Sequence, residues 1–347
     1  MTRFFKKVGW NHIGFALSVT IIATAVIVLH RILRDIDFGE LVTALKATDA
    51  KDVVFASLFV AAGYFTLTFY DLFALRSIGR DDIPYRVAAL AGFTSYSIGH
   101  NVGASVFTGG AVRYRIYSAW GLTAIEVAKI CFIAGLTFWL GNATVLGLGI
   151  LFVPHAASGI DQLPDWANRL IAILILTVLM TYVMWVWRRQ REIGRGSWQV
   201  SLPGGPLTLI QIGIGIVDLG CCAFAMYMLM PDEPHIGFVT IAVIFVSATL
   251  LGFASHSPGG LGVFDAAMLV GLWQFDREDL LAGLLLFRLV YYIVPFVMAL
   301  LILGGRELIV NFRVSRSPTR AADPLAMPQG PAEKSTEFDA VSRERLR

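Results

Sequence analysis

Seven long apolar runs are spaced along the chain, at residues 13–29, 53–75, 125–153, 170–187, 206–230, 236–253 and 280–303. Each approaches the roughly 20 residues that a helix needs to cross about 30 Å of hydrocarbon. Barrel strands would read as alternating stretches about half as long. The pattern therefore predicts helices. Two further segments, 95–117 and 250–269, sit in apolar surroundings yet carry a Gly-Gly pair, a histidine and ionisable residues. Lipid excludes such segments unless they line a cavity enclosed by protein.

Composition agrees with the pattern. Hydrophobic residues make up 56% of the chain and charged residues 15%, with a mean hydropathy of +0.68, outside the range of soluble domains. The net charge of +3 does not point to nucleic acid, because the basic residues cluster at the ends of runs. Arg3, Lys6 and Lys7 come first, then Arg76, Arg80 and Arg86. Arg188, Arg189, Arg191 and Arg195 follow, and Arg306, Arg313 and Arg316 come last. The positive-inside rule makes these regions, and both termini, cytoplasmic. Residues 154–166, 231–235 and 274–279 then lie outside. Residues 31–52 read as an external amphipathic helix at the interface. The basic start followed by an apolar run resembles a signal sequence, but the run continues to Leu29 and predicts an uncleaved first span. Cys131, Cys221 and Cys222 fall inside spans and read as small buried apolar residues. A single membrane domain is expected over 1–312. Residues 313–347, rich in Ser, Pro, Ala, Arg and Glu, are expected to form a disordered cytoplasmic tail. Any activity is then expected in the membrane part.

These orientations constrain the two interrupted segments. Residues 87–121 must enter from the cytoplasm and return there, as a hairpin with its tip near 99–103. Residues 236–273 start and end outside, with a tip near 255–260, although two ordinary helices are also compatible with that stretch. The order of features repeats. Asp71-Leu72, Gly109-Gly110 and Lys129 in the first half correspond to Asp218-Leu219, Gly259-Gly260 and Arg288 in the second. Pseudo-repeats at about 53–153 and 206–303 with opposite orientation are the architecture whose broken helices meet at a midplane site.

Each component also has a plain structural reading. Glycine pairs permit close helix packing. Lys129 is one turn from Glu126, and the two are expected to pair unless Lys129 snorkels to the surface. Asp71 sits near the cytoplasmic end as a topology or capping residue. Asp218 has no sequence-local counter-ion and is expected to face a cavity or a cation, with Arg288 and Arg113 as candidates. His100 and His256 read as hydrogen-bonding tip residues, and no metal-ligand spacing occurs. Trp120, Trp139, Trp187 and Trp273 serve as interfacial anchors. Gly109, Gly110, Arg113, Tyr114 and Arg115 form the strongest local chemistry: planar donors for a phosphate beside aromatic faces, a set suited to an anionic lipid headgroup. The plain alternative is that Arg113 and Arg115 only end the hairpin on the cytoplasmic side. His100 and Asn101 at the first tip, Ser257 and Pro258 at the second, and Asp265 complete the candidate set.

The stretches GGAVRYRIYSAWGL (109–122), SPGGLGVFDAAML (257–269) and YDLFALRSIG (70–79) resemble the membrane domain of the lysylphosphatidylglycerol synthase/flippase family. That family includes the flippase half of multiple peptide resistance factors and stand-alone inner-membrane proteins. The resemblance extends to about Gly305. It implies an all-α polytopic membrane protein of about eight transmembrane helices in the cell inner membrane, moving aminoacylated or other phospholipids between leaflets. It carries site roles onto Gly109, Gly110, Arg113, Tyr114 and Arg115, and onto Pro258, Gly259, Gly260 and Gly262. Where the family usually has Glu this chain has Asp265, which keeps the charge and shortens the reach. The aminoacyltransferase domain of the fused members has no counterpart here, so synthesis of lysylphosphatidylglycerol is not expected.

The function expected from these readings is a lipid translocase without enzymatic activity or cofactor, acting on membrane phospholipids alone or as a homo-oligomer. An adaptor for a separate lipid synthase is the rival reading. A third, an intramembrane lipid transferase using Asp218, Asp265 or a histidine as base, lacks a nucleophile with a positioned base.

Overall fold

The structure, a computed structural model, describes residues 48–316 apart from Gln190, and a few isolated positions before them. The predicted first span, the signal-sequence alternative, most of the interfacial helix and the tail beyond Arg316 lie outside the described residues. The part from Ala50 to Glu307 belongs to one compact unit. Leu308–Arg347 is assigned to a second, of which the end of the last helix is described.

The long helices are α1 (Ala50–Ser77), α4 (Ala124–Phe152), α6 (Asp165–Arg188) and α7 (Gly205–Met228). A fifth stretch of spanning length and apolarity, Arg277–Arg306, comprises α10 (Arg277–Phe287), a π-helical segment (Arg288–Ile293) and the start of α11 (Val294–Arg316). Sequence-local caps start several of them. Asp49 accepts from the Lys51 N–H at 2.9 Å, and Asp276 does the same for Glu278. Thr123 and Glu126 form a reciprocal capping box at α4. Between the long helices lie two hairpins, α2 (Tyr85–Val102) with α3 (Ser105–Tyr117), and α8 (Phe238–Ala254) with α9 (Val263–Gly271). The all-α class is as expected. Of the eight helices the resemblance implies, the described residues contain five of full spanning length.

At the centre α1 and α7 run antiparallel, pairing Phe59 with Phe224, Gly63 with Cys222 and Thr66 with Asp218, and α4 packs against both. Gly141 and Gly215 let the α4 and α7 backbones touch, and Gln211 donates to Thr137 Oγ1 at 2.8 Å one turn away. Outside them α6 is covered mainly by α4 and turns Leu170, Leu174 and Val178 outward, an apolar surface of the kind that lipid covers. An antiparallel pairing of Glu192–Ile193 with Val200–Ser201 closes the arginine-rich link between α6 and α7.

The two ends of the bundle differ. At one end Arg80 gathers the chain: it donates to Asp82 at 2.9 Å, to Glu126 at 3.0 Å and to the Trp120 carbonyl at 3.1 Å. The guanidinium holds the Asp82 carboxyl below the ordinary carboxylate range. The end of α1, the start of α2, the end of α3 and the start of α4 therefore share this end. Glu126 is engaged by Arg80 and Thr123, so its expected pairing with Lys129 is not formed: the guanidinium from the preceding loop reaches it first. At the other end a short helix, α5 (His155–Asp161), packs against both α8 and α9. A Cβ on Gly159 would lie 3.1 Å from the Gly271 carbonyl. The first hairpin thus enters and leaves at the Arg80 end, and the second at the α5 end.

Candidate functional site

Backbone geometry brings the hairpin tips together. The first turns at Gly103 (φ 84°) and Ala104 (φ 45°), where the sequence predicts a tip at 99–103. Its two helices lie close because a Cβ on Gly109 would meet the Ser95 carbonyl at 3.2 Å, and one on Gly99 the Ser105 carbonyl at 3.3 Å. The second tip extends through Gly262 and uses positive φ at His256, Gly259, Gly260 and Gly262. A Cβ on Gly103 would lie 3.0 Å from the His256 carbonyl and 3.3 Å from the Pro258 nitrogen, so the tips touch and only glycine is accommodated there. Gly103→Ala is expected to cost about 1–3 kcal/mol, the range for a residue held in a backbone region that only glycine occupies easily. Thermal unfolding of the detergent-purified protein measures it. An unchanged midpoint would contradict the tip contact.

Three polar clusters surround this junction. Asp71, fully buried on α1, accepts from Arg113 Nε and Nη2 on α3, at distances down to 2.7 Å, and from the Tyr117 hydroxyl at 2.8 Å. The Arg113 guanidinium also lies 4.7 Å from the centre of the Tyr96 ring. Asp71 is therefore the partner of Arg113, where the sequence suggested a capping or topology residue. Asp218 on α7, buried as well, pairs with neither Arg113 nor Arg288. It accepts from Tyr70 at 3.1 Å and lies 3.3 Å from the Thr66 hydroxyl. Both expected arginines have nearer carboxylates. Arg288 is the second of these, meeting Asp265 at 2.9 and 2.5 Å and the Gly259 carbonyl at 3.3 Å, while Asp265 also caps Gly262.

The π-helical segment contributes backbone acceptors. Its lengthened register turns carbonyls toward the neighbouring helices: Tyr291 accepts from the Tyr64 hydroxyl at 3.0 Å and Tyr292 from Asn101 at 3.2 Å. Phe245, Phe264, Phe287 and Tyr291 form an aromatic stack that ties the second hairpin to this segment.

Between the tips, α4 and α7 lies a cavity of about 230 Å³. Of the sequence candidates His100, Arg113, Asp218, Ser257, Gly259 and Gly260 line it. Gly109 backs Arg113, Asn101 and Pro258 hold the tips, and Asp265 with Arg288 braces the second tip from behind. Gly110 packs toward Cys131. Tyr114 and Arg115 are not in the lining, because α3 turns 100° per residue and aims Arg115 away from Arg113. Sequence reasoning missed the aromatic walls, Tyr96, Tyr291 and Tyr292, and the apolar rim of Phe107 (80% exposed), Trp139 (53%) and Phe253. Trp139 was read as an interfacial anchor only. The cavity thus has a polar floor and an apolar, aromatic mouth, the distribution an amphiphile requires. Among the described residues no three His, Cys, Asp or Glu side chains converge as a metal site needs.

Comparison with known proteins shows which sequences the chain resembles. The chain is 31% identical over 254 residues to "Uncharacterized protein slr0712" of Synechocystis sp., covering 73% of this chain and 79% of that one. It is 28% identical over 279 residues to "Inner membrane protein YbhN" of Escherichia coli, covering 77% and 84%. With the "Phosphatidylglycerol lysyltransferase" of Staphylococcus haemolyticus it shares 26% identity over 320 residues, 87% of this chain but 35% of that protein. The family model described as "Lysylphosphatidylglycerol synthase TM region" matches residues 13–299. With most of its length covered by that model, the chain belongs to the lysylphosphatidylglycerol synthase transmembrane-region family.

Proposed function

We propose that the protein is a lipid translocase of the cell inner membrane, moving a phospholipid between leaflets without chemistry of its own. The observation that carries this reading is the cavity at the hairpin junction, polar within and aromatic at an exposed rim. The headgroup enters the polar floor, where the guanidinium edge of Arg113 not spent on Asp71 meets the phosphate. The acyl chains stay in lipid beyond Phe107, Trp139 and Phe253. The element order long helix, hairpin, long helix occurs twice, with hairpins entering from opposite ends of the bundle, which supports an inverted repeat able to open alternately by rocking. The Arg80 end is cytoplasmic by the positive-inside rule.

Gly135 offers a clean test. It lines the cavity from α4, and a Cβ there meets nothing within 4 Å. Gly135→Trp therefore fills the cavity without a clash at Cβ, and it removes the poorest helix former after proline. Proteoliposomes holding the wild-type protein are expected to exchange a labelled phospholipid between leaflets, and the variant to lose that exchange while melting at the same temperature. Equal exchange by both would reject the assigned pathway.

A further inference from the structure

Among the described residues, the buried Asp218 carboxyl on the cavity wall has no cation partner. Asp218 is 5% exposed and lines the cavity, while the arginines nearest the junction, Arg113 and Arg288, are held by Asp71 and Asp265. The other titratable groups around it or on the cavity wall are Tyr64 and Tyr70 on α1, Tyr96 and His100 on α2, Cys131 on α4, Cys221 and Cys222 on α7 itself, His256 at the second tip, and Tyr291 and Tyr292 on the π-helical segment. No titratable residue occurs in α8, and those of α10 are in its first turn. The contact of α6 with α7 that approaches Gly205 through Trp187 is more than three turns from Asp218.

Hydrogen-bond direction around Asp218 indicates what compensates it. Tyr70 donates to Oδ2 at 3.1 Å. Thr66 has one hydroxyl hydrogen, and its shorter bond, 2.6 Å, is to the Gly63 carbonyl. The same hydroxyl lies 3.3 Å from Asp218 Oδ1, where it can donate to a carboxylate or accept from a carboxylic acid. An ionised Oδ1 has to share the single Thr66 hydrogen with the nearer Gly63 carbonyl, whereas a carboxylic acid O–H donates into the hydroxyl and leaves that hydrogen to Gly63. Burying a carboxylate without a partner costs several kcal/mol, and neutralising it removes that cost.

We infer that Asp218 is a proton-binding site of the cavity, holding a proton on Oδ1 in this conformation and releasing it to cavity water when the site opens. On release the O–H bond breaks, the proton passes to water and Asp218 remains as carboxylate. This rests on the translocase reading for its use, as the point where lipid movement couples to protons, but not for its existence.

Infrared difference spectra between wild type and Asp218→Asn, which keeps the shape and removes the charge, test the site directly. At neutral pH the wild type is expected to show a protonated-carboxyl band that shifts in deuterated water, fades as pH rises and is absent from the variant. A difference containing only carboxylate bands would overturn the assignment, as would loss of the protonated band when sodium chloride replaces potassium chloride. In proteoliposomes a one-unit pH step changes the protonated-to-ionised ratio about tenfold. It is expected to change wild-type exchange and leave Asp218→Asn exchange insensitive to pH; insensitive wild-type exchange would overturn the coupling. Absence of any wild-type exchange would reject the translocase reading, and the infrared band would still decide the proton site.

Discussion

Arg113→Ala is expected to destabilise the protein by about 3–5 kcal/mol, enough to remove most folded material from the membrane. The substitution leaves Asp71 fully buried on α1 with, among the described residues, the Tyr117 hydroxyl as its remaining side-chain partner, and it also removes the guanidinium beside the Tyr96 ring. Arg113→Lys keeps the charge but cannot reproduce the paired Nε and Nη2 contacts, so an intermediate loss is expected. The double variant Arg113→Leu with Asp71→Leu removes both charges and should recover much of the stability, since a buried ion pair and an apolar replacement often balance. Melting temperatures of the purified variants check this ordering. A double variant no more stable than Arg113→Ala would show that the pair is not coupled. One consequence concerns function: lost exchange in Arg113→Ala alone says little about phosphate binding, because the same guanidinium holds α3 to α1.

Gly215→Leu is expected to be nearly as damaging. A Cβ at residue 215 would lie 2.8 Å from the Gly141 Cα, and one at 141 the same distance from the Gly215 Cα. Backbone cannot rotate away as a side chain can, so α4 and α7 must part, breaking the Gln211–Thr137 bond a turn away. Overpacking of a tight contact costs about 1–3 kcal/mol, and a leucine is expected at the top of that range. Gly213→Leu on the same helix, where a Cβ meets nothing within 4 Å, is the control and should melt like the wild type. Equal melting of both variants would mean that α4 and α7 do not cross at these glycines.

Much of the scaffold was legible because lipid imposes a length and composition that soluble cores do not. The apolar runs 53–75, 125–153 and 206–230 became Ala50–Ser77, Ala124–Phe152 and Gly205–Met228, their ends moved by no more than a few residues toward capping groups such as Asp49 and Thr123. The run 170–187 starts five residues earlier, at Asp165 after Pro164, because a helix continues through polar residues once outside the hydrocarbon. The tips were legible from their glycines.

The pairing of charges was not. Arg113 and Asp71 are 42 residues apart and Glu126 and Arg80 are 46 apart, whereas sequence proximity favoured Glu126 with Lys129. Asp218 was correctly read as lacking a local counter-ion, but its hydroxyl partners on another helix were overlooked. Their signal was present: Thr66 and Tyr70 are polar residues one turn apart in a mostly apolar helix, the spacing that places two groups on one face. The π-helical segment left no such trace, since nothing in RLVYYI distinguishes it from regular helix.

The central claim is that a phospholipid headgroup passes through the cavity between the two tips. A phospholipid with a photoreactive group beside its phosphate tests this most directly, because boundary lipids keep their headgroups at the membrane surfaces. Irradiation of proteoliposomes followed by peptide mapping is expected to place label on cavity residues such as Tyr96 and Cys131, and Gly135→Trp should remove it. Label confined to the outer helix Asp165–Arg188 and the bundle ends, unchanged by Gly135→Trp, would contradict the account.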